Sequence, residues 1–304
     1  MGTNMADRLP LYVLFTMNCE PPKSRTAKSG PDSWEMSARS IEGFCIRLGR
    51  AGYRPSLFSS LACVEEQTPL LEDVTKRGGE IGLFLHPPQI GDGRFKRHLG
   101  QYSADDQRSL IDHHAERFAD YLGSRPRSFR SGHFSANNDT FRILFDLGFR
   151  QGSLSEPGRV LPNREAVWTN APLNPHYVNQ DQKIETGELP FLELPVTTDP
   201  EMEIARGVPY TLQIEAGTVE AFHRPILDAY FERMARQPKP FLNLVFYTCN
   251  SIDYYQEDNQ HARTLELLLD ELALLSERFT LMPVTMFQAH EFYRAHIRQS
   301  ITEG

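Results

Sequence analysis

The chain has 304 residues, of which 40% are hydrophobic and 24% charged, the proportions of an ordinary globular protein, which excludes disorder, collagen and coiled coil as the main architecture. Its 32 Lys and Arg stand against 40 Asp and Glu, a formal charge of −8, so neither nucleic acid nor an anionic membrane surface is an expected partner. Four cysteines without a C-x-x-C pair read as reduced thiols; with no signal segment read at the N-terminus and no apolar run near the ~18 residues of a membrane span, the expected location is cytoplasmic.

Residues 1–10 read as a tail. Residues 11–18 (LYVLFTMN) are an apolar run rich in strand formers. Residues 37–51 place Ile41, Phe44, Cys45 and Leu48 at helical spacing before Gly52. A short extended segment at 55–59 precedes a helix over 64–77, stopped by Gly78 and Gly79, and a strand over 80–86 (EIGLFLH) ended by two prolines. Residues 91–101 form a polar loop. Ser103 and Asp106 resemble a capping box opening a helix over 104–122. Then come a strand at 128–130, a helix at 138–147 ending at Gly148, and a strand at 149–154. Residues 156–190 carry many prolines and polar residues without a clear period and read as a loop-rich excursion. The pattern resumes with a strand at 191–196, a helix at 219–236, a strand at 241–247, a leucine-rich helix at 262–278, a strand at 281–284 and a closing helix at 285–299.

Strands and helices alternate at least six times, with no visible linker or repeat. That order predicts an α/β fold with a largely parallel sheet, and a single-domain distorted (β/α) barrel over 11–304 accommodates it. In such a barrel chemistry sits at the C-terminal strand ends. On the first strand, period two puts Thr16, Asn18 and Glu20 on one side. On the third it groups Phe84 with His86, and on the late strand Val245, Tyr247 and Cys249. Arg130 ends the fourth strand, where its charge would compensate Glu20. Glu193 closes the strand at 191–196 and reads as a strand-end cap.

These segments resemble, in order, the motifs of the polysaccharide deacetylases, the chitooligosaccharide-deacetylase homology family. Residues 16–20 read TMNCE where that family has T-F-D-D or T-x-D-x-E. Residues 78–86 read GGEIGLFLH against its G-x-E-I-G with paired histidines, and residues 129–132 read FRSG against F-R-x-P or F-R-x-G. LGF at 147–149, ELP at 193–195 and LVFYTCN at 244–250 follow. The likeness runs from about residue 11 to 287. It implies a distorted seven-stranded barrel, (β/α)7, and metal-assisted hydrolysis of an N-acetyl or related amide on a sugar.

The departures fall on the motifs. The family's base Asp meets Asn18, the first histidine of its pair meets Phe84, and its late-strand histidine meets Tyr247. Glu20 and His86 remain as metal ligands, with His98 or His133 as candidates for a third. A catalytic zinc site uses three protein ligands, so the expectation is a weakly bound zinc-like divalent ion, or none. The resulting reading is a hydrolase of a carbon–nitrogen bond that deacylates an N-acylated sugar or glycan precursor. Glu20 would bind metal or act as general base, and His86 would ligate metal or donate a proton. Arg130 would orient Glu20, Asn18 would hydrogen-bond water or substrate, and Tyr247 would donate to the oxyanion. The alternative is a catalytically degenerate relative that binds a glycan or a protein partner. The expected partner is a small-molecule or glycan substrate, and the oligomeric state cannot be read from the sequence.

Overall fold

A computed structural model describes residues 8–25, 28–90 and 93–302. Of the expected tail at 1–10 only residues 8–10 lie within it, and the first two residues of the loop at 91–101 lie outside it. In chain order the first elements are strand β1 (Pro10–Cys19), helix α1 (Trp34–Arg50), β2 (Pro55–Ser59), α2 (Leu61–Lys76), β3 (Glu80–Leu85), α3 (Ala104–Leu122), β4 (Ser128–Ser131), α4 (Thr140–Asp146) and β5 (Gln151–Gly152). Six short strands follow: β6 (Val160–Leu161), β7 (Ala166–Val167), β8 (His176–Val178), β9 (Leu189–Glu193), β10 (Thr198–Ala205) and β11 (Val208–Thr211). The chain closes with α5 (Arg224–Met234), β12 (Leu242–Cys249), α6 (Gln260–Leu275), β13 (Thr280–Pro283) and α7 (Met286–Thr302).

Seven strands run parallel in the order β12-β1-β2-β3-β4-β5-β9, with β8 antiparallel on the β9 edge. β13 lies parallel to the first half of β1. The sheet curls until its ends meet through irregular segments. Thr197 donates from its N–H to Val245 O at 3.3 Å and accepts at Oγ1 from Val245 N–H at 3.0 Å, while Tyr247 N–H donates to Leu212 O at 3.0 Å. The result is the distorted (β/α) barrel that the alternation predicts, with the seven strands that the motif resemblance implies. Because the strands are parallel, all their C-terminal ends open on one face. Ser33, Ser60 and Ser103 cap α1, α2 and α3 by accepting the N–H three residues on, which fixes where each helix leaves that face. Leu11, Val13, Phe15, Leu57, Leu83 and Phe129 are buried between sheet and helices. Among the described residues no helix is long and apolar enough to cross a membrane.

Three segments differ from the sequence reading. The strand expected at 149–154 shrinks to β5, because the N–H groups of Leu154 and Ser155 donate to the Glu193 carboxylate, each at 2.8 Å, instead of to a strand partner. The helix expected from 219 opens with a π-helical turn, Val219–His223, before α5; Pro225 in the first turn of α5 has no N–H to continue the α pattern backwards. The excursion at 156–190 is packed rather than loose. It holds the β6–β7 hairpin and β8, and buries Trp168 completely.

Candidate active site

β1 carries Thr16, Asn18 and Glu20 to the open face, as its alternation predicts. Just past the strand, the Glu20 peptide is clamped by Asn250, which follows β12. Asn250 Oδ1 accepts the Glu20 N–H at 3.0 Å, and Asn250 Nδ2 donates to Glu20 O at 2.9 Å and to Ser37 Oγ at 2.8 Å. So fixed, the Glu20 carboxylate meets His86 Nδ1 across the barrel rim, with Oε1 at 2.5 Å. Both side chains are buried. The glycine of FRSG makes room for this pair: a Cβ on Gly132 would lie 2.3 Å from the His86 ring.

With Nδ1 facing a carboxylate, the other ring nitrogen of His86 is left for a different partner. His98 and His133 stand beside it. The three imidazoles each offer a nitrogen within 4.8 Å of the others, with ring centroids 4.8–5.9 Å apart. His98 reaches this point from the loop before α3, where Gly100 N–H donates to Ser135 Oγ at 3.0 Å and Asn137 Nδ2 donates to Gly100 O at 3.1 Å. His133 arrives through a turn in which it and Phe134 both take positive φ, 55° and 58°. Each such residue costs roughly 1–3 kcal/mol, and the surroundings must hold it. Here Trp168 Nε1 donates to Phe134 O at 2.8 Å. Burial, helped by the nearby His86 and Arg164, pushes the pKa of His98 down to about 4 and that of His133 to about 2. Both therefore keep neutral rings with lone pairs. His98 Nδ1 is buried without a hydrogen-bond partner. Arg164 Nη1 lies against the His133 ring, 2.8 Å from Nδ1 and 3.3 Å from Nε2.

Arg130 does not reach Glu20. Its guanidinium is completely buried and donates to Thr16 Oγ1 at 2.9 Å, Asn18 Oδ1 at 3.1 Å, Ser153 O at 3.1 Å and Ser153 Oγ at 2.8 Å. It also stacks on Phe58, 4.4 Å from the ring centroid. The orienting role expected for it toward Glu20 therefore falls to Asn250, and Arg130 orients Asn18. Tyr247 is directed elsewhere too: its hydroxyl donates to Gln213 Oε1 at 3.0 Å, and its ring meets Phe134 edge-on at 5.6 Å. Phe134 lies between Tyr247, Arg130 and Arg159, so an aromatic ring fills the middle of the barrel mouth. Cys19 and Cys249 are free thiols, as expected.

Glu193 is a cap, as its strand-end position suggests. Besides the two backbone N–H groups it accepts the Ser155 hydroxyl at 2.7 Å, and its Oε2 is buried without a partner. Burial raises its pKa from 4.5 to about 7, against the hydrogen bonds and Arg130 that lower it. Its folded pKa exceeds its unfolded one, so its contribution is fully present below about pH 4.5 and is lost as pH rises to about 7. Glu193→Gln keeps the accepting oxygen and removes the titration. The variant is expected to match the parent at pH 4.5 and to exceed it by ~3 kcal/mol at pH 8. Urea unfolding at the two pH values measures this, and equal stability differences at both would show that Glu193 does not titrate abnormally.

No protein-family model matches the sequence, and no curated protein matches it. Solved structures do. A Mycobacterium smegmatis protein assigned as a polysaccharide deacetylase superposes with a TM-score of 0.62 at 14% identity, over 97% of this chain and 93% of that one. A Pseudomonas aeruginosa PAO1 protein of the same assignment gives 0.62 at 13%, over 95% and 92%. Puue allantoinase gives 0.61 at 13%, over 94% and 90%. The fold is that of the polysaccharide deacetylases. At these identities the likeness is one of architecture, so the chemistry has to be argued from this chain's own residues.

Within this polysaccharide-deacetylase fold, Asn18, Phe84 and Tyr247 offer no imidazole or carboxylate at the positions where the motif resemblance puts them. The three histidines supply a different donor set: His98 and His133 with neutral rings, one nitrogen of His98 buried and unpartnered, and His86 with the Glu20 carboxylate on its Nδ1. A carboxylate on the far nitrogen of a ligating histidine is the usual outer support of a metal site. Glu20 Oε1 stands in that position on His86 Nδ1. Sequence reasoning named His98 and His133 as alternatives, whereas the fold brings both to His86. Asn250 escaped it because strand parity directs attention to every second residue, and Asn250 acts from the turn after the strand.

Proposed function

We propose that the protein hydrolyses the carbon–nitrogen bond of a small amide, an N-acylated sugar or a compound like it. The observation that carries this reading is the Glu20–His86 pair, buried at the strand-end face, with two further neutral imidazoles beside it. The filled centre of the mouth supports a small substrate over a long polysaccharide laid across the barrel.

A divalent ion fits the three imidazoles, and would supply Lewis acidity toward the amide carbonyl and toward water. The chain's own residues do the positioning. Glu20 Oε1 holds the proton of His86 at Nδ1, which leaves the lone pair of Nε2 for an ion. Arg130 donates to Asn18 Oδ1 and so fixes the orientation of that amide, whose Nδ2 presents N–H donors for a developing oxyanion. Thr16 and Ser153 hold Arg130 in turn. Tyr247 supports this frame through Gln213 and Phe134.

The test is a metal analysis of the purified protein joined to a rate survey over N-acylated amino sugars. Hydrolysis is expected, together with about one equivalent of divalent metal that is lost in His98→Ala. A metal-free protein that releases no acid from any of these amides would overturn the reading in favour of a glycan- or protein-binding relative. A sharper expectation concerns Arg164, whose cation sits on His133 Nδ1 where it opposes a bound ion. Arg164→Gln should tighten zinc binding, by the ~10–100-fold typical of changes around a metal's ligands. Zinc titrations of both proteins by calorimetry measure it, and unchanged or weaker binding would place the ion away from His133.

A further inference from the structure

The cavity beside the Glu20–His86 pair is not at the barrel centre. Phe134 occupies that, against Tyr247 and Arg130. It is a cavity of about 300 Å³ displaced toward the ends of β2 and β3, between α2 and α3, with Glu20 and His86 in its wall. The rest of the wall is largely apolar and includes Leu61, Ala62, Phe84, Leu85 and Ile90. Phe84 is the residue that stands where the motif resemblance puts a histidine. Its ring lies edge-on to His86 at 6.1 Å, so an exchange that removes a ligand also makes an apolar surface next to the reacting pair.

We propose that this cavity binds the acyl half of the substrate, and that the acyl group is a hydrocarbon chain of several carbons rather than an acetyl group. The proposal rests on the amide-hydrolase reading and names the substrate class of that same site. Three observations support it. The cavity has Glu20 and His86 in its wall, so a group that fills it lies beside that pair. Its wall exposes more apolar than polar surface, which suits a hydrocarbon better than a sugar ring with a hydroxyl on most of its carbons, so the amine half belongs outside. Its volume is at the lower end of small-molecule sites and far exceeds what a methyl group fills, and an underfilled apolar cavity forfeits contacts on every side. Besides Glu20 and His86 the wall carries four polar residues, Ser60, Glu65, Gln89 and His114, and two of them have a free acceptor. His114 donates from Nδ1 to Leu110 O at 2.8 Å, which leaves Nε2 as an acceptor, and Gln89 Oε1 is buried without a partner. Either would accept a hydrogen bond from a hydroxyl carried on the acyl chain.

Each methylene moved from water into such a wall favours binding by about fourfold, so four of them should give on the order of 10²-fold. The experiment uses the whole chain and two neutral probes, acetamide and hexanamide, titrated with ligand-observed NMR. Hydrolysis of N-acetyl- and N-hexanoylglucosamine is followed in parallel. Hexanamide is expected to bind on the order of 10²-fold more tightly than acetamide, and the hexanoyl sugar to be cleaved with the larger kcat/KM. Ala62→Phe, which fills the cavity from the first turn of α2, should abolish the preference. Leu61→Ala, which enlarges the cavity, should keep it, and thermal melts establish that both variants fold. Equal affinity for the two amides, or a preference that survives in folded Ala62→Phe, would overturn the proposal. Tight hexanamide binding lost in Ala62→Phe, with no hydrolysis of either sugar, would uphold the cavity as an acyl site and overturn the hydrolase reading instead.

Discussion

Glu20→Gln is expected to lower the rate of any amide hydrolysis ~10²–10⁴-fold while leaving the fold intact. The fold should survive because Asn250 clamps the Glu20 peptide and not its side chain, and because glutamine keeps the length and an oxygen that can still face His86. What is lost is the negative charge behind the imidazole, and with it the certainty of which ring nitrogen carries the proton. Glutamine can also present its N–H₂ to Nδ1, which would move the ring proton to Nε2. Either change spoils that nitrogen as an electron donor, whether its partner is an ion or a proton. The measurement pairs kcat on the substrate the parent cleaves with a thermal melt and a metal titration. A variant that melts like the parent and keeps its full rate would remove Glu20 from the reaction.

The barrel was legible because it is a long-range consequence of a short-range pattern. Apolar runs such as residues 11–18 have to be buried on both faces, helices between them cover those faces, and parallel order follows from the alternation. What was not legible are the features set by side chains that take the place of backbone. The sheet loses most of its fifth strand because the Glu193 carboxylate captures two N–H groups, and no local signal at residues 149–154 announces that. The excursion at 156–190 has little periodicity because its order is imposed by single contacts, such as Trp168 on the Phe134 carbonyl.

At the site, parity along one strand could be read and convergence between loops could not. Thr16, Asn18 and Glu20 share a face because a strand has period two, and that expectation holds. His98 and His133 are in a loop and a strained turn, where sequence spacing says nothing about direction. The one usable hint was chemical: FRSG is followed at once by a histidine, and a glycine before it is needed for the His86 ring to fit. Arg130 shows the opposite error. A cation next to a carboxylate at a strand end suggests a pair, yet burial made Arg130 choose neutral acceptors that it can satisfy completely, and left Glu20 to an imidazole.

That choice makes Arg130 consequential for stability. Arg130→Met is expected to destabilise the protein by ~3–5 kcal/mol, a large share of the 5–15 kcal/mol typical of a folded domain. Methionine has nearly the length to fill the space, so the cost is not chiefly a cavity. It comes from acceptors left behind in the dry interior: Asn18 Oδ1, Ser153 O and Ser153 Oγ lose their donor together, and each unmade bond carries the desolvation penalty of its group. The buried Glu193 and Glu156 also lose the positive charge that lowers their pKa values. Burial already pulls the guanidinium pKa down to about 9, and it still carries its charge at neutral pH. Arg130→Lys should recover only part of the loss, because one ammonium cannot reach β1 and the segment after β5 with the same planar fork. Urea unfolding at pH 7 of the parent and both variants gives the comparison. If Arg130→Met costs less than 1 kcal/mol, the frame that orients Asn18 is held by the strands alone, and Arg130 is a consequence of the site rather than its support.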